Sequence, residues 1–168
     1  VFHSPAHVFI CSQFTTTLAK RDIHSGYGEM LKLIITGSKE LLQQYQSAFA
    51  NKFPSLSETN QFIFESLNIK KKVIELDEYE LDYRRILNYG HTFGHALESL
   101  AQYEIPHGSA VAWGVDLANF LGWQYGITPE ADFYHIHEFI SKYFQFHLSK
   151  SFNSQQLVDA TRRDKKVT

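Results

Sequence analysis

The sequence has a single cysteine, Cys11, among 168 residues, so it cannot form an intramolecular disulfide framework. We therefore expect a reducing, cytoplasmic location. The chain also lacks a charge excess: 16 Lys and Arg oppose 18 Asp and Glu, for a net charge of −2. This balance gives no general electrostatic reason to bind nucleic acid or an anionic membrane. No apolar run approaches the length of a membrane span, and we expect no signal peptide.

A glycine-rich loop that could hold a dinucleotide is missing as well. Gly26 and Gly28 are not followed by the third glycine of such a loop, and no substantial strand leads into them. We therefore expect no nucleotide-binding domain of the Rossmann type in this sequence. Because the chain begins with Val1 rather than Met, we expect it to be a piece of a longer protein.

The hydrophobic pattern predicts one mainly α-helical domain over residues 1–168, with little or no sheet. Residues 7–10 have strand composition, residues 14–18 read as a turn or short strand, and residues 25–28 are expected to loosen the chain. Helices are predicted at residues 29–35, from the cap Ser38 to Pro54, from Ser57 to about Ile74, and at residues 81–102, 109–125, 130–144 and 154–163.

The predicted helix at 81–102 places polar side chains where apolar ones usually lie. Steps of four, three, four and three residues separate these side chains and keep them on one helix face: Arg84, Asn88, His91, His95 and Glu98. An exposed polar face is the ordinary interpretation of such a stripe. Gly90 and Gly94 favour a binding site instead, because two glycines one turn apart let a ligand or another element approach closely.

Histidines and one glutamate suggest a metal site. His107 lies beside Gly108 at a predicted helix start, and Glu29 precedes Lys32 by three residues. Neutral imidazoles and a carboxylate are common zinc ligands, and three of them leave a position open for substrate. His91 could share a metal with either His95 or His107, and the spacing alone leaves both pairings open.

Five segments carry a resemblance to a known family. Residues 87–98 (LNYGHTFGHALE) resemble the characteristic motif of 3-dehydroquinate synthase and related sugar-phosphate cyclases. Residues 25–32, residues 70–84 and residues 107–112 resemble further family segments in the same order, and residues 164–166 resemble a late Asp-Lys-Lys element. The resemblance extends over nearly the whole chain and implies the helical C-terminal domain of such an enzyme.

The resemblance also implies roles for individual residues. It implies a metal, Zn²⁺ or Co²⁺, held by Glu29, His91 and His107, and it places His95 with the substrate. The implied catalytic and substrate-binding residues are Lys32, Lys70, Arg84, Asn88, His95 and Lys165, with Lys166 as the alternative to Lys165. The segment bordering NAD is Phe14, Thr15, Thr16 and Thr17.

The activity implied by the resemblance is cyclisation of a seven-carbon keto-sugar acid phosphate with loss of phosphate, a lyase step of the shikimate pathway. NAD would be bound with an N-terminal domain absent from this chain, and the full-length protein would be a homodimer. We expect the isolated chain to be inactive. The alternatives are another sugar-phosphate cyclase, a metal-dependent polyol or alcohol dehydrogenase domain, and a non-catalytic helical module.

Overall fold

The computed structural model describes residues 5–50, 53–149 and 151–163, and this part of the chain is helical without any strand. The prediction of a mainly α-helical fold is therefore confirmed. Two 3-10 helices lie at Ser12–Thr17 and Tyr83–Asn88. The α-helices are α1 (Lys20–Ile35), α2 (Lys39–Ala48), α3 (Leu56–Leu76), α4 (His91–Leu100), α5 (His107–Gln124), α6 (Glu130–Tyr143) and α7 (Ser154–Arg162). Among the described residues, no helix is both long enough and apolar enough to cross a membrane.

Helix α5 lies at the centre of the fold and packs against α1, α4 and α6. Its residues Ala110, Val111, Ala112 and Val115 are fully buried. A helix that is apolar on all sides is stable only when other elements surround it. The main core joins α5 to a cluster of aromatic rings from α1, α2, α3 and α6, which includes Tyr27, Tyr45, Phe49, Phe62 and Phe139.

Helices α1 and α5 touch through their backbones. A Cβ atom on Gly28 would lie 2.0 Å from the Gly108 carbonyl oxygen, and one on Gly108 would lie 1.7 Å from the Ser25 carbonyl oxygen. Ser25 Oγ also accepts a hydrogen bond from the Gly108 N–H at 2.8 Å. The prediction that residues 25–28 loosen the chain is therefore wrong, since α1 continues through them and this crossing brings Glu29 close to His107.

The predicted single helix at 81–102 is also wrong. A 3-10 helix ends at Asn88, Gly90 adopts a left-handed conformation with φ 77°, and α4 begins at His91. The reason is packing against α5, because a Cβ atom on Gly90 would lie 2.7 Å from the Val115 nitrogen. Gly94 lies similarly close to the α5 backbone, so these two glycines admit a neighbouring helix, one of the two partners that the sequence allowed.

The extended segment predicted near the N-terminus does not form a strand. Residues 7–10 have no regular structure, and Val8, Phe9 and Ile10 are exposed. A strand needs a neighbour for its backbone groups, and the described residues offer none. Instead of a turn or strand at 14–18, the chain forms the 3-10 helix Ser12–Thr17, in which each threonine hydroxyl donates to a backbone carbonyl three residues earlier.

Candidate metal and substrate site

Three helix segments bring Glu29, His91 and His107 to one point. Glu29 lies in the middle of α1, while His91 and His107 are the first residues of α4 and α5. Glu29 Oε1 lies 3.1 Å from His107 Nε2 and 3.5 Å from His91 Nε2. The backbone contact at Gly28 and Gly108 sets this convergence, because it fixes α1 against the start of α5.

His95 lies beside the same cluster, one turn along α4 from His91. The ring centroids of His95 lie 5.4 Å from His91 and 5.8 Å from His107, and the three imidazoles offer ligand nitrogens within 4.8 Å of one another. The described residues therefore bring together four potential ligands. The assignment of His95 to the substrate rather than to the metal stays a prediction.

Charge at the site is concentrated on Glu29. Burial alone would raise the pKa of its carboxyl group, but the facing imidazoles of His107 and His91 and the ammonium group of Lys32 hold the pKa well below its usual range. Lys32 is itself buried, with Nζ 3.0 Å from Glu29 Oε2. In turn, Glu29, and secondarily Glu98, raise the pKa of His107 to about 9.

The donor set fits a zinc-type ion. Ligand atoms that surround a tetrahedral zinc ion at 2.0–2.1 Å lie roughly 3.3 Å from one another, close to the observed separations from Glu29 Oε1. That oxygen is buried and accepts no hydrogen bond of good geometry from the residues that the structure describes. A buried carboxylate oxygen without a donor is costly, and a bound cation would supply its missing partner.

A cavity of about 310 Å³ opens next to this cluster and is rich in cations. Lys32 from α1, Lys70 from α3 and Arg84 from the second 3-10 helix line it, together with Asn88, Glu29, His91 and His107. The structure thus collects seven of the predicted catalytic and metal-binding residues, Arg84 among them, in one cavity. His95 is close to its metal end, and Lys165 and Lys166 lie outside the described residues. Fixed cations at this density suit an anionic ligand.

Asp77 shapes the segment that carries Arg84. Its carboxylate accepts backbone hydrogen bonds from Leu81, Asp82 and Arg84, each at 2.9 Å. These bonds lower the pKa of Asp77 to about 2, and the bond from the Arg84 N–H has the largest effect. The Arg84 guanidinium in addition donates to the Glu78 carbonyl. The loop between α3 and α4 is therefore organised around one carboxylate.

Sequence reasoning missed two residues of the site. Glu80 lines the cavity, accepts a hydrogen bond from the Asn88 side-chain amide and has a left-handed backbone with φ 58°. Its position in an acidic run gave no signal that its side chain would turn inward. Glu98 stood out only as a member of the polar face, whereas in the structure its Oε2 lies 2.9 Å from His107 Nδ1.

The segment predicted to border NAD does not line the cavity of the candidate site. Thr15 and Thr16 line an apolar groove of about 530 Å³ with residues of α1 and α3, including Tyr27, Met30 and Leu56. Phe14 is 78% exposed, and neither it nor Thr17 lines the groove. The cofactor role of these four residues stays a prediction.

A helical domain in which a carboxylate and imidazoles converge beside a cationic cavity belongs to the class of domains whose side chains could hold a metal ion and an anionic ligand. The comparison of sequences identifies it further, because residues 26–167 match the family profile described as 3-dehydroquinate synthase C-terminal. The chain therefore belongs to the 3-dehydroquinate synthase C-terminal domain family.

Similar proteins agree with this family. The chain is 36% identical over 169 residues to the 3-dehydroquinate synthase of Campylobacter concisus (strain 13826), which covers 99% of this chain and 47% of the relative. It is 33% identical over 167 residues to the 3-dehydroquinate synthase of Helicobacter pylori (strain G27), and this alignment covers 98% of this chain and 47% of the relative. The chain spans about half the length of these relatives.

A solved structure supports the fold. The crystal structure of 2-deoxy-scyllo-inosose synthase superimposes with a TM-score of 0.72 and 20% sequence identity, covering 91% of this chain and 43% of the other. The helical arrangement described above is therefore that of the corresponding part of this synthase.

Proposed function

We propose that this chain is the metal- and substrate-binding half of a 3-dehydroquinate synthase, an NAD-dependent lyase that cyclises a seven-carbon keto-sugar acid phosphate with loss of phosphate. The observation that carries the proposal is the convergence of Glu29, His91 and His107 beside a cavity lined by Lys32, Lys70 and Arg84. The proposal includes a cytoplasmic location, in keeping with the exposed, unpaired Cys11.

The metal ligands in this proposal are Glu29, His91 and His107. A zinc or cobalt ion bound there would act as a Lewis acid and lower the pKa of a substrate hydroxyl group. Glu29 suits this role because its low pKa keeps it ionised, and Lys32 neutralises the carboxylate oxygen that faces away from the imidazoles. His95 would face the substrate from the adjacent turn of α4.

The cations bind and orient the substrate. Arg84 can hold the substrate carboxylate through two parallel N–H bonds, with Lys70 across the cavity. Asn88 and His95 would lie near the phosphate, with Lys165 as a further contact. Because each step of such a cyclisation carries negative charge, cations fixed in place before the reaction stabilise the transition states without reorganisation.

NAD and an N-terminal partner domain complete the proposed enzyme. The chemistry that bound NAD would supply is reversible hydride transfer, so no net NADH would form. The proposed cofactor border, residues 14–17, lies beside the apolar groove, where a second domain can cover it. A homodimer of the full-length protein belongs to the same proposal.

Elemental analysis tests the metal site. We expect the 168-residue chain, purified without chelator, to contain about one zinc per chain, and we expect His107→Ala to lose it because two ligands hold zinc poorly. His147→Ala, which removes an exposed histidine, is the matched control and should retain the metal. Equal zinc contents in the parent and in His107→Ala would contradict the proposed site.

A turnover assay tests the reaction. In the longest protein that the gene encodes, supplied with NAD, the substrate should release phosphate without accumulation of NADH. Accumulating NADH without phosphate release would instead identify a polyol or alcohol dehydrogenase. Phosphate release from a different sugar phosphate, with none from the seven-carbon acid, would identify another cyclase.

A further inference from the structure

Glu98 lies behind His107, on the opposite side of the imidazole ring from Glu29. Glu98 Oε2 is 2.9 Å from His107 Nδ1, while Glu29 Oε1 is 3.1 Å from His107 Nε2. The Glu98 side chain is only 12% exposed and belongs to α4, whereas Glu29 belongs to α1. The ring of the first residue of α5 is therefore held between carboxylates from two other helices.

This arrangement selects one form of the imidazole. A carboxylate only accepts hydrogen bonds, so Nδ1 must carry the proton that it donates to Glu98, which leaves the lone pair of the neutral ring on Nε2. Nε2 is the nitrogen that faces Glu29. A carboxylate that accepts the second ring N–H of a metal-binding histidine fixes the ring and raises its basicity as a ligand.

His107 needs such support more than His91 does. The His91 side chain is 12% exposed, and its Nδ1 lies 3.4 Å from the Tyr89 carbonyl oxygen. The His107 side chain is 44% exposed and follows a loop and Pro106, so packing alone does not fix its ring. Glu98 supplies the orientation that burial supplies for His91.

We propose that Glu98 is a positioning residue for the metal site, which acts by accepting the Nδ1–H of His107 and so directs Nε2 of His107 at the metal. This inference rests on the proposed metal-binding function and adds a residue to it. Glu98 itself does not touch the metal or the substrate.

A purely structural role is the rival explanation. The Glu98 carboxylate lies near the N-terminus of α5, where a negative charge favours the helix dipole. If this were its whole role, removing Glu98 would lower the stability of the chain, and any loss of zinc affinity would not depend on the His107 imidazole.

The test is a double-mutant cycle on zinc affinity, measured by competition with a chromophoric chelator on the 168-residue chain. We expect Glu98→Ala to weaken zinc binding by about 10- to 100-fold and Glu98→Gln, whose amide oxygen can still accept the Nδ1–H, to weaken it less. His107→Ala should bind zinc too weakly to retain it through purification, so its weaker affinity is measured with zinc added in excess. In this background Glu98→Ala should cause no further loss, because its effect passes through the missing ring.

The matched control is Glu104→Ala in the loop between α4 and α5. The Glu104 carboxylate accepts a hydrogen bond from the Ser149 N–H at 2.9 Å, so this variant removes a structural contact to Ser149 and not to a proposed ligand. Zinc affinity should be unchanged in this variant. The absorption spectrum of the Co²⁺-loaded chain gives a second readout, which should change for Glu98→Ala and not for Glu104→Ala.

The outcomes separate this inference from the proposed function. A parent chain that binds no zinc would overturn both. If the parent chain and Glu98→Ala bind zinc with the same affinity, only the role of Glu98 is overturned. That role is also overturned if Glu98→Ala lowers zinc affinity equally in the presence and in the absence of His107. If Glu98→Ala does not fold, Glu98→Gln decides, and parental affinity and spectrum in that variant overturn the inference.

Discussion

At the scale of single residues, Gly108 controls how closely α1 approaches the start of α5. No side chain fits at this position, since a Cβ atom would lie 1.7 Å from the Ser25 carbonyl oxygen, and the helix backbone of α1 cannot yield as a flexible side chain could. The geometry of the proposed metal site depends on this contact, because His107 precedes Gly108 directly and Glu29 lies one turn beyond Ser25.

We therefore expect Gly108→Ala to separate α1 from α5. The free energy of unfolding, measured by urea denaturation, should fall by about 1–3 kcal/mol, the usual cost of overpacking. Zinc affinity should fall as well, because the distance between Glu29 and His107 must increase.

Gly26→Ala is the matched control for this prediction. Gly26 lies on α1, the helix that Gly108 contacts, and a Cβ atom there would meet nothing within 4 Å. Alanine is a better helix former than glycine, so this variant should be as stable as the parent or about 1 kcal/mol more stable. Equal stabilities for Gly108→Ala and Gly26→Ala would contradict the close contact.

At the scale of elements, the loop between α3 and α4 depends on the ionised Asp77 carboxylate. Its pKa is lowered from 3.8 to about 2 in the folded chain by three backbone hydrogen bonds, first of all the one from Arg84. A lowered pKa means that the contribution of Asp77 to stability is present above about pH 3.8 and is lost as the pH falls through about 2.

We expect Asp77→Asn to lower the urea midpoint at neutral pH, because the amide group brings N–H donors toward backbone donors. The difference from the parent should shrink as the pH is lowered from about 4 to about 2. Glu75→Gln, which removes an exposed ion pair with Lys71, is the control and should have little effect. A difference that stays constant over this pH range would contradict the role given to Asp77.

The same loop shows why helices could be predicted from the sequence more accurately than the positions at which they are interrupted. The steps from Arg84 to Glu98 follow a helical period, so a continuous helix was the natural expectation. The break at Gly90 comes from packing against Val115 on α5, a contact that is distant in sequence and invisible in a local pattern. Local signals sufficed for α2, which begins after the predicted cap Ser38, and for α6, which begins at the first residue of the predicted range 130–144.

The candidate site shows the same contrast between local signals, which the sequence displays, and contacts that depend on packing. Residues of recognisable type and spacing, such as His91 and His107, could be proposed from the sequence and do lie together. Glu80 could not, because its direction depends on a left-handed backbone in a loop. Glu98 was noticed for its place on the polar face, but its partner lies nine residues away on another helix.

At the scale of the whole molecule, several exposed apolar side chains lie close together in the chain before α1. Val8, Phe9, Ile10 and Phe14 are exposed, and Val8 and Ile10 line a cavity that shares Leu56 and Ile63 with the apolar groove. An apolar surface of this kind indicates an interface. The chain spans about half the length of its relatives, so the proposed N-terminal domain is the occupant we expect.

Because NAD is proposed to bind with another domain, we expect the 168-residue chain to bind zinc but to produce no dehydroquinate when NAD and substrate are added. The described residues include the proposed metal ligands and the proposed substrate-binding cations, while the sequence contains no glycine-rich loop to hold the cofactor against them. The 3-dehydroquinate synthase of Campylobacter concisus, assayed in parallel for phosphate release, serves as the positive control. Measurable product from the chain alone would mean that NAD binds productively without a second domain, and the groove would then need another explanation.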